Sequence, residues 1–205
     1  VFYLFPDTIS CCVIFVAGSG KKVHLFVHPF IILSGLITSS VSFTIIEDIA
    51  AMCKAGQASM AYFDFEHDNK QHSYKLIPSL LVQLSPYPHP HCNILSRLYE
   101  AHDSGKAQPS DVVLVKYLKH MLFSLPDRRP TYLVMGSLNE CPGSSGISSP
   151  RKRVLQLVKE LVDLRLPNLH ICVMSNPEFD IRGVLEPLAS FQISLHNGGH
   201  VQVEF

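Results

Sequence analysis

Residues 15–26 read FVAGSGKKVHLF. The centre of this stretch, Gly18-Ser19-Gly20-Lys21, has the composition of a loop that wraps a phosphate. Glycines let successive backbone N–H groups turn inward around the anion, and a lysine reaches its outer oxygens. The full pattern is G-x-x-x-x-G-K-[ST], placed after a strand and before a helix. Gly20-Lys21 fit it, but Phe15 takes the first glycine position, and Lys22 stands where a hydroxyl would ligate Mg²⁺. A lone GSGK is as common in an ordinary turn as in a phosphate loop, so the neighbouring elements must settle what it belongs to.

Upstream, CCVIFVA (11–17) is a short apolar run rich in β-branched residues, as expected of a strand buried on both faces. Downstream, TIIEDIAAMCKAG (44–56) places Ile45, Ile46, Ile49 and Met52 on one helical face and ends at Gly56. ASMAYFDF (58–65) reads as a strand; YKLIPSLLVQLS (74–85) and CNILSRLYEAH (92–102) read as helices. In PSDVVLVKYLKHMLFSL (109–125), Ser110 is a plausible N-cap and Val113, Tyr117, Leu118 and Met121 share a face. TYLVMG (131–136) and LHICVM (169–174) are further buried strands.

Between them, a Gly/Ser/Pro-rich loop delivers Ser149-Pro150, an N-cap and N1 pair, into RKRVLQLVKELVDLRL (151–166). Val154, Leu155, Val158, Leu161 and Val162 form its apolar stripe. Arg151-Lys152-Arg153 lie at its positive end, against the helix dipole, and read as a solvated face rather than a phosphate contact. FDIRGVLEPL (179–188) is a short helix and FQISL (191–195) a strand. Strands alternating with amphipathic helices predict an α/β fold with a mostly parallel sheet flanked by helices in three layers.

Composition narrows the function. A chain of 205 residues, 47% of them hydrophobic, is enough for one domain with a sizeable core. Seventeen basic residues balance seventeen acidic ones, so no nucleic-acid or acidic-membrane partner is expected. The six cysteines form no C-x-x-C pair, which argues against a zinc ribbon and for a reducing, cytoplasmic location. His89, His91 and Cys92 in PYPHPHC read as a Pro-rich loop rather than a metal site, and no metal ligand is assigned. Leu25–Ile46 has the length of a membrane span, but His28-Pro29 and Thr38-Ser39-Ser40 interrupt it. A serine hydrolase is not supported, because no G-x-S-x-G elbow is present and GSSGISS follows no strand.

Four stretches together resemble the NACHT-type NTPase domain of fungal signal-transduction ATPases, the nephrocystin-like group of STAND P-loop proteins found in large NLR-like chains. They are GSGK, TIIEDIAAM, RPTYLVMGSLNECP and RKRVLQLVKELVDLRLPNLHICVMSNPE, and the likeness runs from about Cys11 to the end. It implies a three-layer P-loop NTPase-like fold over residues 1–205, ATP or GTP with Mg²⁺ as cofactor, and nucleotide contacts from Gly18, Ser19, Gly20 and Lys21. It also implies self-association or NLR-type signalling partners, engaged through effector and sensor domains absent from this sequence, which therefore reads as a fragment.

The departures from the family pattern fall on functional positions. Gly136 replaces the Mg²⁺-anchoring Asp, Asn139 the following acid, Asn176 the sensor Arg and Lys22 the hydroxyl; Glu140 remains as a residual catalytic group. The helix that should follow Lys21 is delayed to Thr44, and residues 22–43 read as an insertion with the character of translated intron. If the true join lies within it, Ser39 or Ser40 is the displaced hydroxyl. Phosphoryl transfer in this class is positioning and electrostatics, so losing several contacts at a few kcal/mol each predicts weak or absent nucleotide binding and no meaningful turnover. The alternative is a non-catalytic scaffold that keeps the fold for packing or interaction.

Overall fold

The computed structural model describes residues 11–17, 37–65, 75–85, 94–125, 129–143, 149–176, 178–189, 191–195 and 201–204. Among them are six strands, β1 (Cys11–Ala17), β2 (Ser59–Asp64), β3 (Thr131–Gly136), β4 (Leu169–Ser175), β5 (Phe191–Leu195) and β6 (Val201–Glu204). The helices are α1 (Ile37–Lys54), α2 (Leu76–Leu84), α3 (Ile94–Ala101), α4 (Asp111–Ser124), α5 (Pro150–Val162) and α6 (Phe179–Leu185). The strands form one sheet in the order β2-β3-β4-β1-β5-β6.

Only β2, β3 and β4 are parallel to one another. β1 is antiparallel to both β4 and β5, and β5 is antiparallel to β6. The expected mostly parallel sheet is therefore a three-strand parallel half joined to an antiparallel half. The physical reason is that an apolar run such as CCVIFVA specifies burial on both faces but reads the same in either direction.

The parallel strands explain the core. β3 is buried at every position, and β4 at all but His170. Alternation sends Leu133, Met135, Ile171 and Val173 to one face, where they meet Leu80, Leu84, Leu118, Met121, Leu155, Val158, Leu161 and Ile181 of four helices. Tyr132, Val134, Cys172 and Met174 face the other way and pack with Ile49 of α1, backed by Ile46, Met52 and Cys53. Helices thus cover both faces of this half. β2, the outer strand, is closed by a side chain that imitates a strand partner. Gln83 of α2 accepts from Tyr62 N at 2.9 Å and donates to Tyr62 O at 2.7 Å.

Helix ends follow local chemistry. Ser149 caps α5 by accepting from Lys152 N, with Pro150 at the first helical position. Gly56, at φ +70°, follows α1. Ser110 takes the extended backbone of an N-cap, but its side chain makes no cap bond. The buried stripe of α4 is Leu114, Leu118, Met121 and Leu122, so its centre lies one residue past the expected Val113, which is only half-buried. α1 starts at Ile37 rather than Thr44, taking in the last residues of the stretch expected to be an insertion. No Gly or Pro lies between Ile37 and Thr44, so nothing stops the helix from extending back toward Gly35. Among the described residues no helix is long and apolar enough to cross a membrane.

Candidate functional site

Where β2, β3 and β4 end side by side, three polar segments meet. This is the edge at which open α/β sheets place their ligands. β2 ends at Asp64. β3 runs into a tight turn, Ser137 to Cys141, in which Ser137 has a left-handed backbone at φ 53°. A non-glycine residue in that region costs about 1–3 kcal/mol and is held by its surroundings. β4 ends at Ser175 and leads through Asn176 to Glu178, which precedes α6.

Three of the sequence-derived positions converge here. Asn139 Nδ2 donates to Glu140 Oε1 at 2.7 Å, and Asn139 Oδ1 accepts from Asn176 N at 3.0 Å. Asn139, Glu140 and Asn176 therefore belong to one hydrogen-bonded chain. Gly136 lies beside them at the end of β3. A Cβ built on it would fall 2.9 Å from Asp64 Oδ1 and 3.4 Å from the Tyr62 hydroxyl. The Asp64 carboxylate thus fills the space that a side chain at 136 would need. Tyr62 Oη donates to its Oδ2 at 2.8 Å, while Oδ1 is buried with no partner.

The residue that the sequence reading missed is Arg151. It was expected on a solvated face, yet it is 7% exposed, whereas Lys152 and Arg153 are exposed as expected. Its Nε donates to Cys141 O at 2.9 Å and its Nη2 to Asn139 O at 2.7 Å. Its Nη1 bonds Glu178 and, at 3.2 Å, Asp180. Two carboxylates and two carbonyls outweigh the unfavourable helix end, which contributes at most about 2 kcal/mol. Gly143 makes room for this group, since a Cβ there would sit 2.8 Å from Arg151 Cζ. The Cys141 thiol beside it is pushed up to about 11 by burial, against the opposing pull of Arg151 and Arg153.

The expected phosphate-loop residues Gly18, Ser19, Gly20 and Lys21, together with Lys22, lie outside the described residues, as do His89, His91 and Cys92. The strand leading to them is described. β1 pairs Cys12 with Ser175 and Ala17 with His170, so it departs at the edge where β3 and β4 begin, opposite Asn139, Glu140 and Asn176. β1 therefore ends at the opposite edge of the sheet from β3 and β4.

The residues at the parallel-strand edge do not suit a protein-held Mg²⁺. Position 136 has no carboxylate, Glu140 accepts from Asn139, Glu178 and Asp180 are spent on Arg151, and Asp64 offers one oxygen packed against Gly136. Among the described residues no three His, Cys, Asp or Glu side chains group so as to hold a metal ion. A cavity of about 800 Å³ lies elsewhere, between α2, α4 and α5, with Ile77 and Val115 as part of its apolar wall. Its rim carries the ion pairs Lys119–Glu160 at 2.7 Å and Arg153–Asp111 at 3.2 Å.

A family model described as nephrocystin 3, N-terminal, matches residues 34–176. The matched span opens after Gly18–Lys22 and closes on Asn176, so it includes the turn after β3 and the whole of β4. No curated protein matches the chain, and no solved structure does.

Proposed function

The chain belongs to the nephrocystin 3, N-terminal family, and from that premise we propose that it is a NACHT-like signalling module that has lost ATP or GTP hydrolysis and binds nucleotide weakly or not at all. The observation that carries the proposal is the state of the parallel-strand edge. Gly136 and Asn139 stand where acids would hold Mg²⁺ and activate water, and the polar groups that remain are committed to one another. Electrostatic stabilisation of a transferring phosphoryl group needs donors and cations aimed at the developing charge. Here the Asn139 side chain is held by Glu140 and by Asn176 N, and the Arg151 cation by two carbonyls and two carboxylates, so aiming the cation at a phosphoryl group means breaking those bonds.

The direction of β1 favours a second reading, a scaffold that keeps the family architecture for interaction without nucleotide. β1 runs away from Asn139 and Asn176, so the strand that precedes Gly18 ends at the opposite edge of the sheet from them. Hydrolysis of Mg·ATP and Mg·GTP by the full chain, with Lys21→Ala as control, tests the loss of turnover; robust Lys21-dependent turnover overturns it. Titration with ATP and GTP, with and without Mg²⁺, separates the two readings. Saturable binding supports the switch-derived module, and none supports the scaffold.

A further inference from the structure

We infer that Arg151 is a built-in cation that couples the turn after β3 to the entry of α6, so that displacement of one is transmitted to the other. The two segments are remote in sequence; Arg151 is 10 residues from Cys141 and 27 from Glu178. They also touch directly, through Asn139 Oδ1 with Asn176 N at 3.0 Å and with the Ser175 hydroxyl at 3.5 Å. The guanidinium supplies the charged connection. Its planar fork points Nε and Nη2 at the carbonyls of Cys141 and Asn139, and Nη1 at the carboxylates of Glu178 and Asp180.

The two halves of this clamp differ in what they can do. On the β3 side the partners are backbone carbonyls and the stem of Arg151, which is 7% exposed, rises from α5, so the guanidinium is confined. On the α6 side the partners are carboxylates whose side chains are 43% exposed, and these are free to move into water. When they move, a buried cation is left with two carbonyls alone. An uncompensated buried charge is costly, so the turn that holds it must shift or admit water. That turn carries Asn139 and Glu140. α6 therefore reads, and is read by, the candidate site. The coupling needs neither metal nor nucleotide and stands apart from the proposed loss of hydrolysis.

Amide hydrogen exchange on the full chain, comparing wild type with Glu178→Gln/Asp180→Asn, tests this coupling. The substitutions lie in the α6 segment. The expected result is exchange faster by about tenfold in 137–143 as well as in 178–189, the size seen for groups in one network. Arg151→Lys should give the same pattern, because one ammonium cannot span four acceptors, and adding it to the double variant should change little further. Wild-type protection of 137–143 in the carboxylate variant, or additive effects of the two changes, overturns the inference. If β2 also loses protection in the double variant, Asp180→Asn alone, which removes the 3.2 Å contact, gives the reading by the same criteria.

Discussion

At the scale of single residues, the informative pair is Gly136 and Asp64. Returning an acid to position 136 looks like a repair, but the geometry makes it a collision, because the new Cβ would start 2.9 Å from Asp64 Oδ1. Gly136→Asp is expected to lower stability by about 1–3 kcal/mol through overpacking and like-charge repulsion, without restoring turnover. Urea denaturation and an ATPase assay on the same sample check both halves; a stable variant that hydrolyses ATP contradicts them. Asp64→Asn separates crowding from charge. Its amide oxygen keeps the Tyr62 bond and the buried charge is removed, but Nδ2 replaces the unpartnered Oδ1 as a buried donor without an acceptor, so stability is expected to stay within about 1 kcal/mol of wild type. A clear loss means that Oδ1 has a donor in solution. His170 gives a pH signature. Burial lowers its pKa from the usual 6.5, and its Nδ1 is buried without a partner beside the stacked Tyr132 ring. The unfolded chain therefore takes up a proton on this histidine before the folded one does. Stability from keeping it neutral is complete above pH 6.5 and is lost as pH falls through the lower folded value. His170→Phe, which keeps a ring against Tyr132, should flatten the fall in urea midpoint between pH 7.5 and about 5.5; equal slopes in variant and wild type exclude His170 as its source.

Among the elements, α5 is where sequence and structure agree best, and also where they part. Its start was legible because Ser149-Pro150 is a local signal: the hydroxyl accepts from Lys152 N at 3.3 Å, and proline needs no donor there. Ser149→Ala should cost about 1 kcal/mol, read as a lower urea midpoint with an unchanged denaturant slope. No loss at all would mean that Pro150 alone sets the helix start. One residue inside that start, Arg151 was illegible, because its anions arrive 27 and 29 residues later and no local pattern pairs them. Strands β2, β3 and β4 were legible as buried runs bounded by turns, since burial follows from side-chain composition. Direction does not, which is why the sheet was expected to be mostly parallel although β1 is antiparallel to its neighbours. β6 was missed because VQVE is too short and too polar to stand out from a terminal segment. In the candidate site, Asn139, Glu140 and Asn176 were found through the resemblance. Asp64 was not, because what distinguishes it is the space beside Gly136 rather than anything in its own neighbourhood of the chain.

For the whole molecule, the question is whether nucleotide contributes to holding the fold together. Both faces of the parallel half are covered by helices, and its edge is tied by Arg151, Asn139 and Ser175 without any ligand. A ligand that binds only the folded chain adds RT ln(1 + [L]/Kd) to stability, about 2.7 kcal/mol when its concentration is 100 times Kd. For a 200-residue domain, such a gain raises the melting temperature by roughly 5–10 °C. A working module bathed in Mg·ATP far above its Kd should show that rise. For this chain the expected outcome is a shift near zero with ATP, ADP or GTP, and the same melting temperature in EDTA as in Mg²⁺, because Arg151 ties the edge through its own carbonyl and carboxylate partners. Scanning calorimetry of the full chain across those conditions is decisive in either direction. A nucleotide-dependent rise that Lys21→Ala abolishes places the phosphate loop in the folded architecture despite the direction of β1. A rise that survives Lys21→Ala places the binding groups somewhere other than Gly18–Lys21.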